Sequence, residues 1–254
     1  MKITVIKVGG AVVEDPQQLT QLLKDFAAIS GAKVLVHGGG RRATKVAERL
    51  GIETKMVNGR RITDKDMLEV VTMVYGGLVN KSIVAGLQAL GVNAIGLTGA
   101  DGNALLAHKR PVKDVDYGFV GDVDKGNLNT LATLLNAGII PVMAPLTHDG
   151  KGTLLNTNAD TIAAETAKTL AKEYDVTLIY AFEKPGVLSN PDDDDSVIPL
   201  ITSESYEQLK ADGIVSGGML PKIDNAYNAI NAGVKAVIIT KADAIDGTQG
   251  TKII

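Results

Sequence analysis

The chain has 254 residues, a formal net charge of -3 and no cysteine. This length allows a large core, as one α/β domain or as two lobes on a continuous sheet. The lack of a long basic run gives no sign of a nucleic-acid footprint, and the absence of cysteine excludes disulfides, thiolate zinc sites and a cysteine nucleophile. No apolar run reaches the ~20 residues that a membrane-spanning helix needs, and the N-terminus lacks a signal pattern, so we expect a soluble, cytoplasmic protein.

The first strand is the most informative stretch. Ile3-Thr-Val-Ile-Lys-Val-Gly-Gly10 predicts a strand buried on both faces that stops at paired glycines. Lys7 must therefore meet an anion or emerge into a cleft where the strand ends. Gly9 and Gly10 allow positive φ and leave N–H groups bare, as in an anion-binding nest, although a lysine before an ordinary glycine turn is also common.

The same design recurs at Lys33-Val-Leu-Val-His-Gly-Gly-Gly40, which leads into a helix at Arg41. Between the two strands, Asp15-Pro16 opens a helix that Gly31 closes. The pattern is one βαβα unit, so the two strands should pair in parallel. Two glycine turns at neighbouring strand ends predict two loops that face one cleft.

A hairpin and a long helical stretch follow. Asn58-Gly59 is a preferred two-residue turn, and Arg60 and Arg61 should point to opposite faces of the ribbon, so that one can face the cleft. Thr63 is predicted to cap the next helix, and Gly76-Gly77 to interrupt it before a further helix. This apolar stretch is compatible with either core burial or a dimer face.

The middle of the chain returns to strands and helices. We predict a strand at 94–97, hairpins at 104–124, a helix at 128–135 and a strand at 139–144. Asn156-Thr-Asn-Ala-Asp160 precedes another helix, with Asn158 placed as its N-cap and Asp160 in its first turn. Asn156 lies too far upstream to be a cap.

The last third begins with a strand at 176–180, and the loop at 182–186 lies beyond its carboxyl end, where ligands of open α/β sheets bind. The aspartates 192–195 lack the ligand spacing of a calcium loop and are interpreted as a solvated acidic loop. A third glycine-rich segment precedes Lys222, whose charge opposes the dipole at a helix N-terminus unless a polyphosphate binds there. Closing strands are expected at 236–240 and 250–254.

Five segments in this order resemble the motif set of the amino acid kinase family: Lys-Val-Gly-Gly at 7–10, His-Gly-Gly-Gly at 37–40, Asn-Gly-Arg-Arg-Ile-Thr at 58–63, Asn-Thr-Asn-Ala-Asp at 156–160 and Gly-Gly-Met-Leu-Pro-Lys at 217–222. The resemblance covers essentially the whole chain and is strongest to members that phosphorylate N-acetyl-L-glutamate. It implies an α/β fold, a three-layer αβα sandwich with a mainly parallel central sheet of the carbamate kinase type.

The resemblance also implies roles for individual residues. Lys7 and Lys222 would stabilise the transferring phosphoryl group, and Asp160 would organise these lysines without acting as a general base, because a carboxylate acceptor has no proton to lose. The implied acceptor-binding residues are Gly39, Gly40, Arg61 and Asn156. The implied phosphate- and nucleotide-binding residues are Gly9, Gly10, Glu183, Lys184, Gly186 and Ser216.

By the same resemblance, residues 1–170 form an N-lobe for acceptor binding and dimerisation, and residues 171–254 a nucleotide-binding C-lobe. The expected ligands are ATP, with Mg²⁺ carried on the nucleotide and no metal site in the protein, and an N-acyl-L-glutamate; the expected assembly is a homodimer. Members inhibited by arginine carry a helix before the first strand, so we expect no arginine inhibition. Two alternatives remain open: a kinase for another N-acyl amino acid such as N-succinyl-L-glutamate, and a non-catalytic nucleotide sensor.

Overall fold

A computed structural model describes residues 1–57, 59–215 and 219–254. In these ranges the strands are β1 (Lys2–Val8), β2 (Ala32–His37), β3 (Met56–Val57), β4 (Arg60–Arg61), β5 (Ala94–Leu97), β6 (Leu105–Lys109), β7 (Gly121–Gly126), β8 (Ile140–Met143), β9 (Leu146–His148), β10 (Leu154–Asn156), β11 (Asp175–Phe182), β12 (Leu200–Ile201), β13 (Ala236–Lys241) and β14 (Thr251–Ile253). The helices are α1 (Gly10–Glu14), α2 (Pro16–Ala28), α3 (Gly40–Arg49), α4 (Lys65–Val71), α5 (Asn80–Ala89), α6 (Leu128–Asn136), α7 (Ala159–Ala171), α8 (Ser203–Ala211) and α9 (Leu220–Asn231), with a π-helical segment at Thr72–Val79 and a 3₁₀ turn at Asp101–Asn103.

The main sheet has the strand order β12-β14-β13-β11-β1-β2-β8-β5. Its pairings are parallel except for β13 with β14, which is antiparallel. β1 lies between β2 and β11, and Lys7 is in register with Val36 on one side and Tyr180 on the other. The carboxyl ends of these three strands therefore meet at one edge, as the predicted βαβα unit required.

The alternation of side chains along β1 explains the layers. Ile3 and Val5 join a core cluster with α6, α7 and α9, while Ile6 and Val8 join a second cluster with α2, α3 and α4. A strand that feeds two cores must be covered by helices on both faces. The predicted three-layer α/β fold is confirmed.

The stretch from Lys65 to Ala89 differs from the sequence prediction. The prediction that Gly76-Gly77 interrupts it is wrong: α4 continues through the π-helical segment into α5. The Thr63 cap is also wrong, because Asp64 is the N-cap and its side chain accepts from the backbone N–H of Met67. By length and composition this helix could span a bilayer, yet one of its faces packs into the second core cluster, as core helices of many proteins do.

Elsewhere the helix boundaries follow their punctuating residues. Asp15 caps α2 by accepting from two backbone N–H groups, and Asn158 does the same for α7. Gly51 follows α3 with a φ of +72°, a conformation that L side chains rarely adopt. Within the described residues, Gly59 of the predicted hairpin turn also has a positive φ of +73°, whereas Asn58 lies outside them.

Candidate active site

The two glycine turns touch each other directly. The backbone N–H of Gly38 donates to the carbonyl of Val8 over 3.1 Å, which ties the end of β2 to the end of β1. A Cβ on Gly38 would lie only 3.0 Å from the nitrogen of Gly10, and a Cβ on Gly39 only 3.0 Å from the ring of Tyr75. Side chains are disfavoured here because two backbones and one aromatic ring crowd these positions. The positive φ predicted for Gly9 and Gly10 is wrong, since Gly9 has a φ of -70° and Gly10 begins α1.

Lys7 reaches the cleft with an acidic partner. It is only 7% exposed, and its Nζ lies 2.8 Å from Oδ1 of Asp160 and 4.9 Å from the ring centroid of Phe182. Asp160 stands in the first turn of α7, which packs across β1, and the cap at Asn158 fixes the start of that helix. Asp160 is therefore the anion that the buried ammonium group of Lys7 was predicted to meet.

Lys222 approaches the same place from the C-terminal part of the chain. It lies in the first turn of α9, and its Nζ is 3.9 Å from the ring centroid of Phe182, the ring that Lys7 also contacts. Burial lowers the pKa of Lys222, with the Lys7 charge acting in the same direction and the Asp160 carboxylate opposing it. A site that gathers two ammonium groups on one aromatic ring is suited to an anion that neutralises both.

A first cavity has a volume of about 460 Å³. Its wall contains the four residues expected to bind the acceptor, Gly39, Gly40, Arg61 and Asn156, together with Asp160 and Lys222. The Nδ2 of Asn156 donates to the hydroxyl of Thr63 over 2.9 Å, which orients its amide at the end of β10.

Arg61 is the inward member of the arginine pair: it is 8% exposed, whereas Arg60 is exposed. The hairpin pattern predicted that one of the two could face inward, and the family resemblance implied that it is Arg61. Its Nη2 donates over 2.8 Å to both the carbonyl of Gly40 and the hydroxyl of Thr44, and its Nη1 lies 3.2 Å from the hydroxyl of Thr54. Most N–H donors of the guanidinium therefore bond to protein atoms. Arg61 stabilises the second glycine turn through Gly40 and also lines the cavity.

A second cavity has a volume of about 520 Å³. It is lined by Gly9, Gly10, Phe182, Glu183, Lys184, Gly186 and others, and it shares Gly40 and Lys222 with the first cavity. Gly186 is needed for space, because a Cβ there would come 2.8 Å from the hydroxyl of Thr251. Ser216, the remaining predicted nucleotide-binding residue, lies outside the described residues.

Two surface ion pairs flank this second cavity. The Nζ of Lys184 is 2.8 Å from the carboxylate of Asp194. One aspartate of the acidic loop 192–195 thus forms an ion pair with a residue that is expected to bind the nucleotide. Glu183 is exposed and lies 3.7 Å from Arg41. Within the described ranges, no group of three or more acidic, histidine or cysteine side chains could hold a metal ion.

Sequence reasoning missed three side chains that line these cavities. Phe182 provides the ring that both lysines contact, Tyr75 packs against the glycine turn beside Arg61, and Arg110 lines the first cavity while its guanidinium pairs with Asp122. Tyr75 and Phe182 did carry a signal, since aromatics are only 4% of the chain, Tyr75 precedes the paired glycines 76 and 77, and Phe182 stands at the carboxyl end of a strand. Nothing in the local sequence marked Arg110.

The fold and the site together define an α/β protein in which two lysines and a carboxylate meet near the carboxyl ends of parallel strands, beside two cavities that share Gly40 and Lys222. A model of the amino acid kinase family matches residues 2–241, and the chain belongs to that family. The family resemblance of the five sequence motifs is therefore confirmed.

The relatives extend over the whole chain. A protein of Bacteroides thetaiotaomicron named acetylglutamate kinase is 67% identical over 252 residues, which are 99% of this chain and 98% of that protein. A protein of the same name from Phocaeicola vulgatus is also 67% identical, with the same coverage. Among solved structures, N-acetylglutamate synthase from Neisseria gonorrhoeae, complexed with coenzyme A and N-acetyl-glutamate, gives a TM-score of 0.81 over 99% of this chain and 59% of that chain; at 23% identity this likeness concerns the fold.

Proposed function

We propose that the chain transfers the γ-phosphoryl group of ATP to the side-chain carboxylate of N-acetyl-L-glutamate, giving N-acetyl-L-glutamyl 5-phosphate and ADP, in arginine biosynthesis. Membership of the amino acid kinase family and the full-length relatives named acetylglutamate kinase support this activity. The observation that carries it is that Lys7 and Lys222 contact one aromatic ring, Phe182, while Lys222 lines both of two adjoining cavities.

The proposed chemistry is positioning and charge stabilisation. An oxygen of the acceptor carboxylate bonds to the γ-phosphorus while the bond from that phosphorus to the β,γ-bridging oxygen breaks, and ADP leaves with the bond's electrons. Lys7 and Lys222 offset the negative charge spread over the transferring group. Asp160 holds Lys7 at 2.8 Å and keeps the two ammonium groups oriented when no phosphate is present. The acceptor is already an anion, so no general base is assigned.

On the acceptor side, Asn156 and the N–H groups of Gly39 and Gly40 are proposed to bind the N-acyl amino acid, with Arg61 contributing to its α-carboxylate. The support is that all four line one cavity that ends at Asp160 and Lys222. Because Arg61 already donates to Gly40 and Thr44, the substrate carboxylate has to share or replace those hydrogen bonds.

On the nucleotide side, Gly9 and Gly10 are proposed to offer N–H groups to the phosphates, and Glu183, Lys184, Gly186 and Ser216 to contact the nucleotide. The first five line the second cavity. Mg²⁺ is proposed to enter with ATP, held by phosphate oxygens and water, which is its usual mode with nucleotides.

The larger organisation is also a proposal. Residues 1–170 would bind the acceptor and residues 171–254 the nucleotide. The first cavity is lined by residues of 1–170 except for Lys222 and Asn225, whereas the second cavity is lined by eight residues of 171–254 and by six of 1–170, namely Gly9, Gly10, Ala11, Val12, Gly40 and Arg41. A homodimer is proposed through the helix at 65–89, because Met73 and Leu78 leave about half of their surface exposed on it. A cytoplasmic location is proposed for an enzyme that uses ATP.

The test is a panel of acceptors with the purified protein and MgATP, read as ADP release and as acyl phosphate trapped by hydroxylamine. Phosphorylation of N-acetyl-L-glutamate with at least ~10-fold higher kcat/KM than free glutamate or aspartate supports the proposal. Nucleotide binding without ADP release for any acceptor would instead identify a nucleotide sensor.

A second acceptor, N-succinyl-L-glutamate, is favoured by one observation. Besides Arg61, two further guanidinium groups line the acceptor cavity, those of Arg60 and Arg110. The succinyl group adds a third carboxylate, which a cation at the wall can pair with, while the acetyl group ends in a methyl. If succinyl wins the panel, Arg60→Gln should lower kcat/KM for the succinyl substrate and leave the acetyl substrate nearly unchanged.

A further inference from the structure

A buried chain of hydrogen bonds runs from the second glycine turn to the helix at 65–89. His37, the last residue of β2, is 0% exposed. Its Nδ1 lies 2.8 Å from the carbonyl oxygen of Gly38, and its Nε2 lies 3.1 Å from the Nδ2 of Asn80. Asn80 is the first residue of α5, directly after the π-helical segment. The proposed chemistry uses neither side chain.

The neighbours of Asn80 determine which nitrogen of His37 carries the proton. The Nδ2 of Asn80 also lies 2.9 Å from the carbonyl of Val142, which can only accept, so this atom is the amide nitrogen and a donor. Its partner atom Oδ1 accepts from Nζ of Lys81 over 3.2 Å. Nε2 of His37 therefore accepts from Asn80, and Nδ1 carries the proton and donates to Gly38. Burial lowers the pKa of His37 to about 4, which keeps this neutral tautomer at physiological pH.

The carbonyl that His37 holds belongs to the most crowded part of the site. The N–H of Gly38 donates to the carbonyl of Val8. The Cα of Gly38 faces Gly10, and a Cβ on Gly38 would lie only 3.0 Å from the nitrogen of Gly10. The residues after it, Gly39 and Gly40, line the acceptor cavity, and Gly40 also lines the nucleotide cavity. A rotation of the Gly38 peptide would therefore move N–H groups in both cavities.

We propose that His37 is a positioning residue for phosphoryl transfer: held by Asn80, its Nδ1–H fixes the Gly38 peptide and so aims the N–H groups of the glycine turn at the place where the phosphoryl group passes. This inference rests on the proposed kinase function. We call the hydrogen bond from Nδ1 of His37 to the carbonyl of Gly38 the clamp. A peptide that is held before the substrate arrives needs no reorganisation in the transition state, so loss of the clamp should lower kcat more than it raises KM.

The deciding experiment compares His37→Leu with His37→Asn. Leucine removes the hydrogen bond to Gly38, whereas the amide nitrogen of asparagine can occupy the place of Nδ1 and restore it. Both variants lose the contact with Asn80 and leave a similar void. His37→Leu should lower kcat by about 100-fold with KM for each substrate within about threefold, as a displacement near 1 Å does, and His37→Asn should recover most of that loss.

Lys33→Met is the matched control for stability. It removes a buried polar side chain from the same strand, but its partners are carbonyls of α2, far from either cavity lining. It should lower the melting temperature and leave kcat of the folded fraction unchanged. Equal kcat in His37→Leu and wild type, or equal losses in His37→Leu and His37→Asn, would overturn the clamp.

A readout independent of turnover separates this inference from the proposed function. Nitrogen NMR of His37 should show a protonated Nδ1 and a bare Nε2 throughout the neutral range, and amide exchange at Gly39 and Gly40 should accelerate in His37→Leu by about 10-fold or more. If the wild type phosphorylates no acceptor, the proposed function fails while these measurements still decide the clamp. A protonated Nε2, or unchanged exchange at both glycines, contradicts it.

Discussion

Two lysines are buried on neighbouring central strands, and they have opposite surroundings. Lys7 near the carboxyl end of β1 is 7% exposed and Lys33 near the start of β2 is 5% exposed, and each Nζ lies 4.9 Å from a phenylalanine ring centroid. Lys7 pairs with the carboxylate of Asp160, which is about one-third exposed to the cleft. Lys33 donates to three carbonyl oxygens at the end of α2, those of Phe26, Ala27 and Ile29.

The difference shows what distinguishes a functional buried charge from a structural one. Lys33 satisfies the orphan carbonyls at a helix C-terminus, where the dipole favours a cation, and no ligand is needed to complete its environment. Lys7 has a single anionic partner, Asp160, which lines the first cavity. It shares the ring of Phe182 with Lys222, which lines both cavities. Burial and an aromatic neighbour are common to both lysines, so the difference between them lies in their partners and in the cavities that those partners line.

Exchanging each lysine for methionine gives the largest expected effect and the most direct way to break this comparison. Lys7→Met should lower kcat by about 10²–10³-fold, because it removes one of the two cations at the transferring group. Its loss of unfolding free energy should be the smaller of the two, because Asp160 is about one-third exposed and keeps the charge of Lys222 nearby. Lys33→Met should do the reverse, costing about 1–3 kcal/mol since carbonyls are left buried without donors, with kcat unchanged. Steady-state kinetics and urea unfolding of both variants measure this.

The comparison fails if the two variants lose activity in the same proportion. It also fails if Lys7→Met unfolds as easily as Lys33→Met, because the Lys7–Asp160 pair would then be as much a structural contact as the helix-end bonds.

Removal of the anionic partner sharpens the account of Lys7. Asp160→Asn should lower kcat by about 10–100-fold, as loss of a group that orients a reacting residue does. The acidic limb of the pH profile of kcat/KM should be the same as in the wild type, because Asp160 does not act as a general base in the proposed chemistry. Glu165→Gln on the same helix, which breaks only the pair with Lys168, is the control. A loss of more than about 10⁴-fold, or the disappearance of an acidic limb, would give Asp160 a direct role in proton transfer.

Lys222 tests whether the charge itself is needed. Its pKa is lowered by burial, so its ammonium loses the proton at lower pH than an ordinary lysine does. Turnover should therefore fall as the pH rises through that lowered pKa, and Lys222→Arg should move the fall to higher pH by at least about one unit, because a guanidinium stays charged. A profile of kcat/KM from about pH 7 to 10 measures this. An alkaline limb at the same pH in both proteins would assign it to another group.

Much of this site follows from local patterns in the chain. The glycine turns, the opposite directions of Arg60 and Arg61, and the cap at Asn158 depend on strand alternation or helix-start chemistry that a few adjacent residues carry. The choice of Arg61 as the inward one came from the family resemblance. Lys7 stood out because an ammonium in an apolar strand is costly without an anion. Lys33 shows the limit of that reasoning, since a strand pattern contains no information on which helix end packs across it.

What the sequence could not show depends on tertiary contacts. The π-helical segment was mistaken for a break because paired glycines usually end helices. Here the helix continues, and Gly76 packs so close to two side chains that a Cβ on it would lie 3.5 Å from Leu146 and 3.6 Å from Thr98. Arg110 reaches the acceptor cavity from a hairpin far along the chain from Arg61. The pairing of Lys184 with one aspartate of an acidic run was equally invisible, because four identical residues offer no pattern for choosing a partner.

The pair of Lys184 and Asp194 gives the smallest expected effect. It extends the comparison of the two buried lysines to a lysine that is exposed. Lys184 and Asp194 each keep about half of their side-chain surface in water, and the carboxylate raises the pKa of this lysine, so the ammonium is charged with or without its partner at neutral pH. Asp194→Asn should change the free energy of unfolding by less than about 0.5 kcal/mol, since exposed ion pairs contribute little. If Lys184 contacts the nucleotide, freeing it from Asp194 should lower KM for ATP by about twofold at low salt, with the difference vanishing as salt screens the charges. Asp193→Asn in the same loop is the control, and an equal change in both variants would trace the effect to the net charge of the loop instead of to Lys184.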